Sequence, residues 1–189
     1  MNPHTMFADL LDYPTPSVCV LARQCTKMMN SEDPHAAKQL KDFEQAITEM
    51  SLTRLQEIYT KHFDLHPDCT LNTSYHLFGD DWRRSMFLAE LKGIYDANAF
   101  QQGNELPDHL CLILRFIALK GRIAEMDDLV HECVIPAVRH MIAVTADDNP
   151  YRNALDALLI WLSDLSGSSA SSAGQEQAAS AVSGEEAAK

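Results

Sequence analysis

The chain has 189 residues, 46% of them hydrophobic, and a formal net charge of −12. That is enough apolar material for one domain with a sizeable core. The deficit of Lys and Arg excludes binding through a phosphate backbone. It favours a basic partner, because an acidic surface attracts cations over about 8–10 Å. The same charge also serves plain solubility.

Helix signals begin at the N-terminus and recur with short gaps. Helices are predicted over 3–12 and over 16–30, where Thr15 precedes Pro16. A third, over 34–49, follows Asp33–Pro34, and Ser51 is the candidate cap for one over 52–64. Residues 65–74, LHPDCTLNTS, read as a loop. Further helices are predicted over 75–100, 107–120, 123–146 and 150–165, the last opened by Asn149–Pro150. Three apolar stripes repeat at helical spacing: Ala36, Leu40, Phe43, Ile47, Met50; Met126, Val130, Cys133, Ala137, Met141, Val144; and Tyr151, Leu155, Leu158, Leu162, Leu165. All three read as core. Pro136 should kink the second.

Before residue 166 the glycines are Gly79, Gly93, Gly103 and Gly121, too few and too scattered for a Gly-rich phosphate loop. Alternating strand patterns are missing. The fold class is therefore all-α, a single-domain multi-helix bundle over 1–165. Residues 166–189 are mostly Ser, Ala and Gly and read as a disordered tail. They contain three Glu and one Lys, so most of the acidity belongs to 1–165.

Cys19, Cys25, Cys69, Cys111 and Cys133 are odd in number and form no CxxC pair, which fits reduced thiols in a reducing compartment. The N-terminus MNPHTMFADLLDYP shows no secretory signal, and no apolar run is long enough to span a bilayer. The expected location is cytoplasmic, without membrane insertion or nucleic-acid binding.

Three stretches carry candidate chemistry. ELPDHL, 105–110, stands before a long apolar run, with Pro107 suited to a first helical turn. Asp108 there reads either as a helix-start stabiliser or, with Glu105 and His109, as the rim of a peptide groove. On the second reading Asp108 matters more for binding than for folding. YTKHFDLHPDC, 59–69, places Tyr59, Phe63 and Asp64 before a loop. His62, His66 and Cys69 in that stretch are conceivable metal ligands, but their spacing is not that of a standard zinc site, and no metal is expected. NTSYHLFGDDWRRS, 72–85, crowds Asp80, Asp81, Arg83 and Arg84 around Gly79, most simply as a solvated, ion-paired helix start. No nucleophile–base–orienter set can be assigned.

LLDYP at 10–14, YTKHFDL at 59–65, HLFGDDWRR at 76–84 and ELPDHL at 105–110 occur in the order found in the redox-enzyme maturation chaperones. Over roughly 6–165 the chain resembles their nitrate reductase delta-subunit branch, the molybdenum-cofactor assembly chaperones. The resemblance implies a non-catalytic helical bundle that binds the N-terminal peptide of the nitrate reductase catalytic (alpha) subunit. It implies help with insertion of bis-molybdopterin guanine dinucleotide into that client, with no cofactor stably bound by the chaperone itself. Cofactor-delivery proteins are possible further partners. The peptide-binding residues it implies are Tyr59, Phe63, Asp64, Tyr75, Glu105, Pro107, Asp108 and His109. A chaperone for another molybdoenzyme, reading a twin-arginine signal, is the nearest alternative. A metal-binding or hydrolytic helical protein is the alternative of another class. Arg115 departs from the family pattern by placing a cation on the helix after ELPDHL.

Overall fold

Proline and side-chain caps set most of the helix starts in the computed structural model, which describes residues 2–121 and 124–165. Helix α1, Pro3–Leu10, opens on Asn2, whose side chain accepts from the His4 amide. Helix α2 covers Val18–Glu32 and α3 covers Pro34–Thr48. Asp33 caps α3 by accepting from His35 and Ala36 amides at 2.9 and 3.1 Å, as the Asp-Pro pair foretells. Ser51 caps α4, Leu52–Tyr59, through the Arg54 amide at 3.2 Å. Thr15 does not cap α2; Thr15 and Pro16 lie in the preceding turn, and the helix starts two residues late, at Val18.

Helix α4 runs on through a π-helical segment, Thr60–Asp64, and a 3-10 turn, Pro67–Cys69. The expected single helix over 75–100 is instead two. Helix α5, Thr73–Phe78, stops at Gly79, whose φ of 57° and ψ of −133° a side chain would strain. Helix α6, Trp82–Ala97, restarts on Asp81. The helix expected over 107–120 begins later: α7 is Leu110–Lys120, and Pro107 and Asp108 form the turn before it. Helices α8, Ala124–Leu129, and α9, Ile135–Val144, are joined by a π segment, Val130–Val134. That wider turn comes directly before Pro136, where a missing N–H and a ring clash break the regular ladder. Helix α10 covers 150–165, with Asn149 accepting from the Tyr151 amide at 3.0 Å.

The described residues contain no strand; one isolated antiparallel bridge joins Asn72 to His109. Helix α7 is the central element: Leu110, Cys111, Leu112, Ile113, Leu114, Phe116 and Ile117 are all buried. Helix α1 packs on it, α2 packs on α1 and α3, and α5 packs on α6 and α9. Ala36, Leu40, Phe43, Ile47, Met126, Val130, Cys133, Ala137, Met141, Tyr151, Leu155, Leu158 and Leu162 join one continuous apolar cluster or its buried surroundings, so the stripes are core. The stripe ends are less buried: Met50 and Leu165 are half-buried, and Val144, at the end of α9, is 41% exposed. The expected all-α bundle is what the chain forms. The tail expected over 166–189 lies outside the described residues.

Candidate functional site

The π segment at the end of α4 determines how Phe63 and Asp64 are presented. One extra residue in a helical turn rotates the following side chains relative to a regular helix. Phe63 is buried against Tyr59 and Tyr151, at ring separations of 4.9 and 5.3 Å, while Asp64 faces solvent. The Asn72–His109 bridge brings the ELPDHL segment beside them: the Leu110 amide donates to the Leu71 carbonyl at 2.8 Å, and the Thr73 amide to the Asp108 carbonyl at 3.0 Å. The result is a cavity of about 250 Å³ lined by Phe63, Asp64, Thr70, Leu71, Asn72, Glu105 and His109.

Four of the eight residues expected to bind peptide thus meet in one cavity: Phe63, Asp64, Glu105 and His109. The other four lie elsewhere. Tyr59 is buried behind Phe63 and donates its hydroxyl to the Leu11 carbonyl at 3.2 Å. Pro107 is buried, and its carbonyl accepts from the Tyr95 hydroxyl at 2.9 Å. Tyr75 lies under the Arg84 guanidinium, 5.5 Å from ring centroid to carbon.

Asp108 is the main correction. It is 0% exposed, not a solvent-facing rim acid. Its Oδ2 accepts from the Ser74 hydroxyl at 2.5 Å and the Ser74 amide at 3.2 Å, with Arg84 3.8 Å away. A buried carboxyl group is costly unless it is hydrogen-bonded. Through Oδ2 Asp108 caps α5 from a distant part of the chain rather than stabilising its own helix, while its Oδ1 is buried without a hydrogen-bond partner.

His109 is half-buried, and desolvation holds its pKa below the ordinary histidine value against the opposing pull of Glu105, Asp12 and Asp108. The imidazole at the cavity is therefore neutral at neutral pH. Neutral His109 with the carboxylates of Asp64 and Glu105 makes a set of acceptors that can hold a guanidinium or ammonium.

Arg115 does not compete for such a cation. It donates to Asp9 at 3.0 Å and Asp12 at 2.7 Å, at one side of an open groove of about 590 Å³ that also includes Tyr13, Pro14 and Val20. The DYP stretch is thus a fastening. Asp12 binds Arg115, Tyr13 stacks edge-on to Tyr59 at 5.4 Å, and the Pro14 carbonyl accepts from Gln56 at 3.0 Å. His62, His66 and Cys69 line a third groove, of about 630 Å³, but His62 pairs with the Thr145 hydroxyl at 3.0 Å and Cys69 is buried. Among the described residues no group of three or more His, Cys, Asp or Glu side chains is placed to hold a metal.

Thr70, Leu71 and Asn72 were not singled out from the sequence. Their signal is faint: a short loop of turn formers whose pairing with residue 109 depends on the fold.

Residues 29–159 match the family model of the nitrate reductase delta subunit. The chain belongs to that family. No curated protein sequence matches it. Among solved structures, a chain from Archaeoglobus fulgidus described as a redox enzyme maturation protein superposes with a TM-score of 0.62 at 16% identity, covering 85% of this chain and 91% of that one. At that identity the likeness establishes a shared fold. This delta-subunit family member also has no described helix long and apolar enough to cross a membrane.

Proposed function

We propose that this delta-subunit family member is a non-catalytic, cytoplasmic maturation chaperone for a molybdoenzyme, and that its client is the apo catalytic subunit of a respiratory nitrate reductase. It binds the client's N-terminal segment, keeps the subunit open for insertion of bis-molybdopterin guanine dinucleotide, and delays membrane assembly until that is done. Family and fold support the maturation role. The observation that supports the binding mode is the convergence of Asp64 and Glu105 on one cavity beside Phe63 and His109. Carboxylates at the mouth suit a basic residue of such a peptide, whose guanidinium or ammonium they can hold.

Calorimetric titration with a synthetic peptide of the reductase's N-terminus tests this. Binding that is lost when the peptide's basic residues become Gln, and that weakens with salt, is the expected result. No binding to that peptide, with tight binding to a twin-arginine signal peptide of another molybdoenzyme, would overturn the nitrate reductase assignment.

A further inference from the structure

His76 on α5 and His140 on α9 lie 64 residues apart in the sequence and meet with their Nδ1 atoms 3.0 Å apart. The tautomer of His76 follows from its other nitrogen. Nε2 lies 2.6 Å from the Thr70 carbonyl, which can only accept, so Nε2 carries the hydrogen and Nδ1 of the neutral ring is a lone pair. A histidine that donates one nitrogen to a backbone carbonyl and turns the other outward has the arrangement typical of metal-ligating imidazoles.

We propose that His76 and His140 form a two-histidine binding site for a divalent late transition metal. With metal–nitrogen bonds of about 2.0–2.1 Å, two nitrogens 3.0 Å apart subtend about 95° at the metal. That is the cis angle of square-planar or octahedral coordination, so Ni(II) and Cu(II) fit better than tetrahedral Zn(II). His140 is exposed, which gives the ion a path in and lets the ring turn its lone pair toward it. No third protein ligand completes the set among the described residues, so solvent fills the remaining positions and the affinity is modest. Neither histidine lines the cavity proposed to bind peptide, although His76 donates to the carbonyl of Thr70, which does.

Ni(II) titration of tag-free, chelator-treated protein is the test, with Ni(II) chosen because it does not oxidise thiols. One Ni(II) per chain at micromolar affinity is expected, with a rise in Tm. His140→Ala should weaken Ni(II) binding by about tenfold or more and leave the metal-free Tm unchanged, because His140 is exposed. His76→Gln should weaken it as well, and His131→Ala, another exposed histidine, should not. Absence of uptake by the wild-type chain, or equal uptake by His140→Ala, would overturn the proposal and leave the two rings as a hydrogen-bonded pair.

Discussion

The Ser74 hydroxyl donates a 2.5 Å hydrogen bond to Asp108, joining the start of α5 to the turn before α7 inside the protein. Ser74 also gives its amide to the same oxygen at 3.2 Å. Thr73 adds its amide and hydroxyl to the Asp108 carbonyl at 3.0 and 2.9 Å. This cluster holds the loop that forms one wall of the cavity against the segment that forms the other.

Asp108 is therefore expected to matter for folding first. Asp108→Ala leaves the Ser74 donors and Arg84 without their buried acceptor and should cost about 3 kcal/mol or more. Asp108→Asn keeps one oxygen and should cost about 1–3 kcal/mol. Urea unfolding measures both. Wild-type stability in Asp108→Asn, with peptide affinity reduced, would restore the rim role that ELPDHL implies.

Glu105 and Asp64 should behave in the opposite way. Both are exposed and both line the cavity. Glu105→Gln and Asp64→Asn are expected to leave the melting temperature nearly unchanged and to weaken a basic client peptide by about 1.5–3 kcal/mol each. Calorimetry at two salt concentrations checks this, since the salt dependence should fall with the charge removed.

Arg115 is a fastening from α7 to α1, through Asp9, and to the turn after α1, through Asp12. All three side chains are partly exposed, so Arg115→Leu should cost only about 1 kcal/mol. Comparison of unfolding midpoints tests the size, and a loss of several kcal/mol would mean that the groove region unfolds with it.

Acid should destabilise the protein before its carboxylates are reached. Burial, with His66 adding to it, lowers the His62 pKa to about 4. The unfolded chain then binds a proton near pH 6.5 that the folded chain refuses. Stability is lost as pH falls through that value and levels off near pH 4; His76 and His109 shift in the same direction. Thermal melts from pH 7.5 to 5 should show the decline, and His62→Gln should flatten part of it. A flat profile in the wild-type chain would refute the assignment.

The thiols should divide by burial. All five cysteines are free, and only Cys19 is partly accessible. Burial pushes Cys25 up to about 12 and Cys133 up to about 11, and raises Cys111 further. A thiol reagent at pH 8 should modify Cys19 quickly in the native protein and all five only after denaturation.

The class of fold and the place of most helices were legible in the amino-acid order alone. Those signals are local: Asp33–Pro34, Ser51 and Asn149–Pro150 act within one turn, and apolar stripes report which face is buried whatever it packs against. It also gave the family, through short motifs in a fixed order. Local spacing could not say where α5 ends, because Gly79 adopts its positive φ only where the chain must reverse. Nor could it say that Phe63, Asp64, Glu105 and His109 share a cavity while Tyr59, Tyr75, Pro107 and Asp108 do not. That division depends on the π segment at Thr60–Asp64 and the bridge between Asn72 and His109. Asp108 shows why: a carboxylate beside a helix start has the same sequence signature whether it faces water or a distant Ser74, and only the packed chain supplies the partners that make burial tolerable.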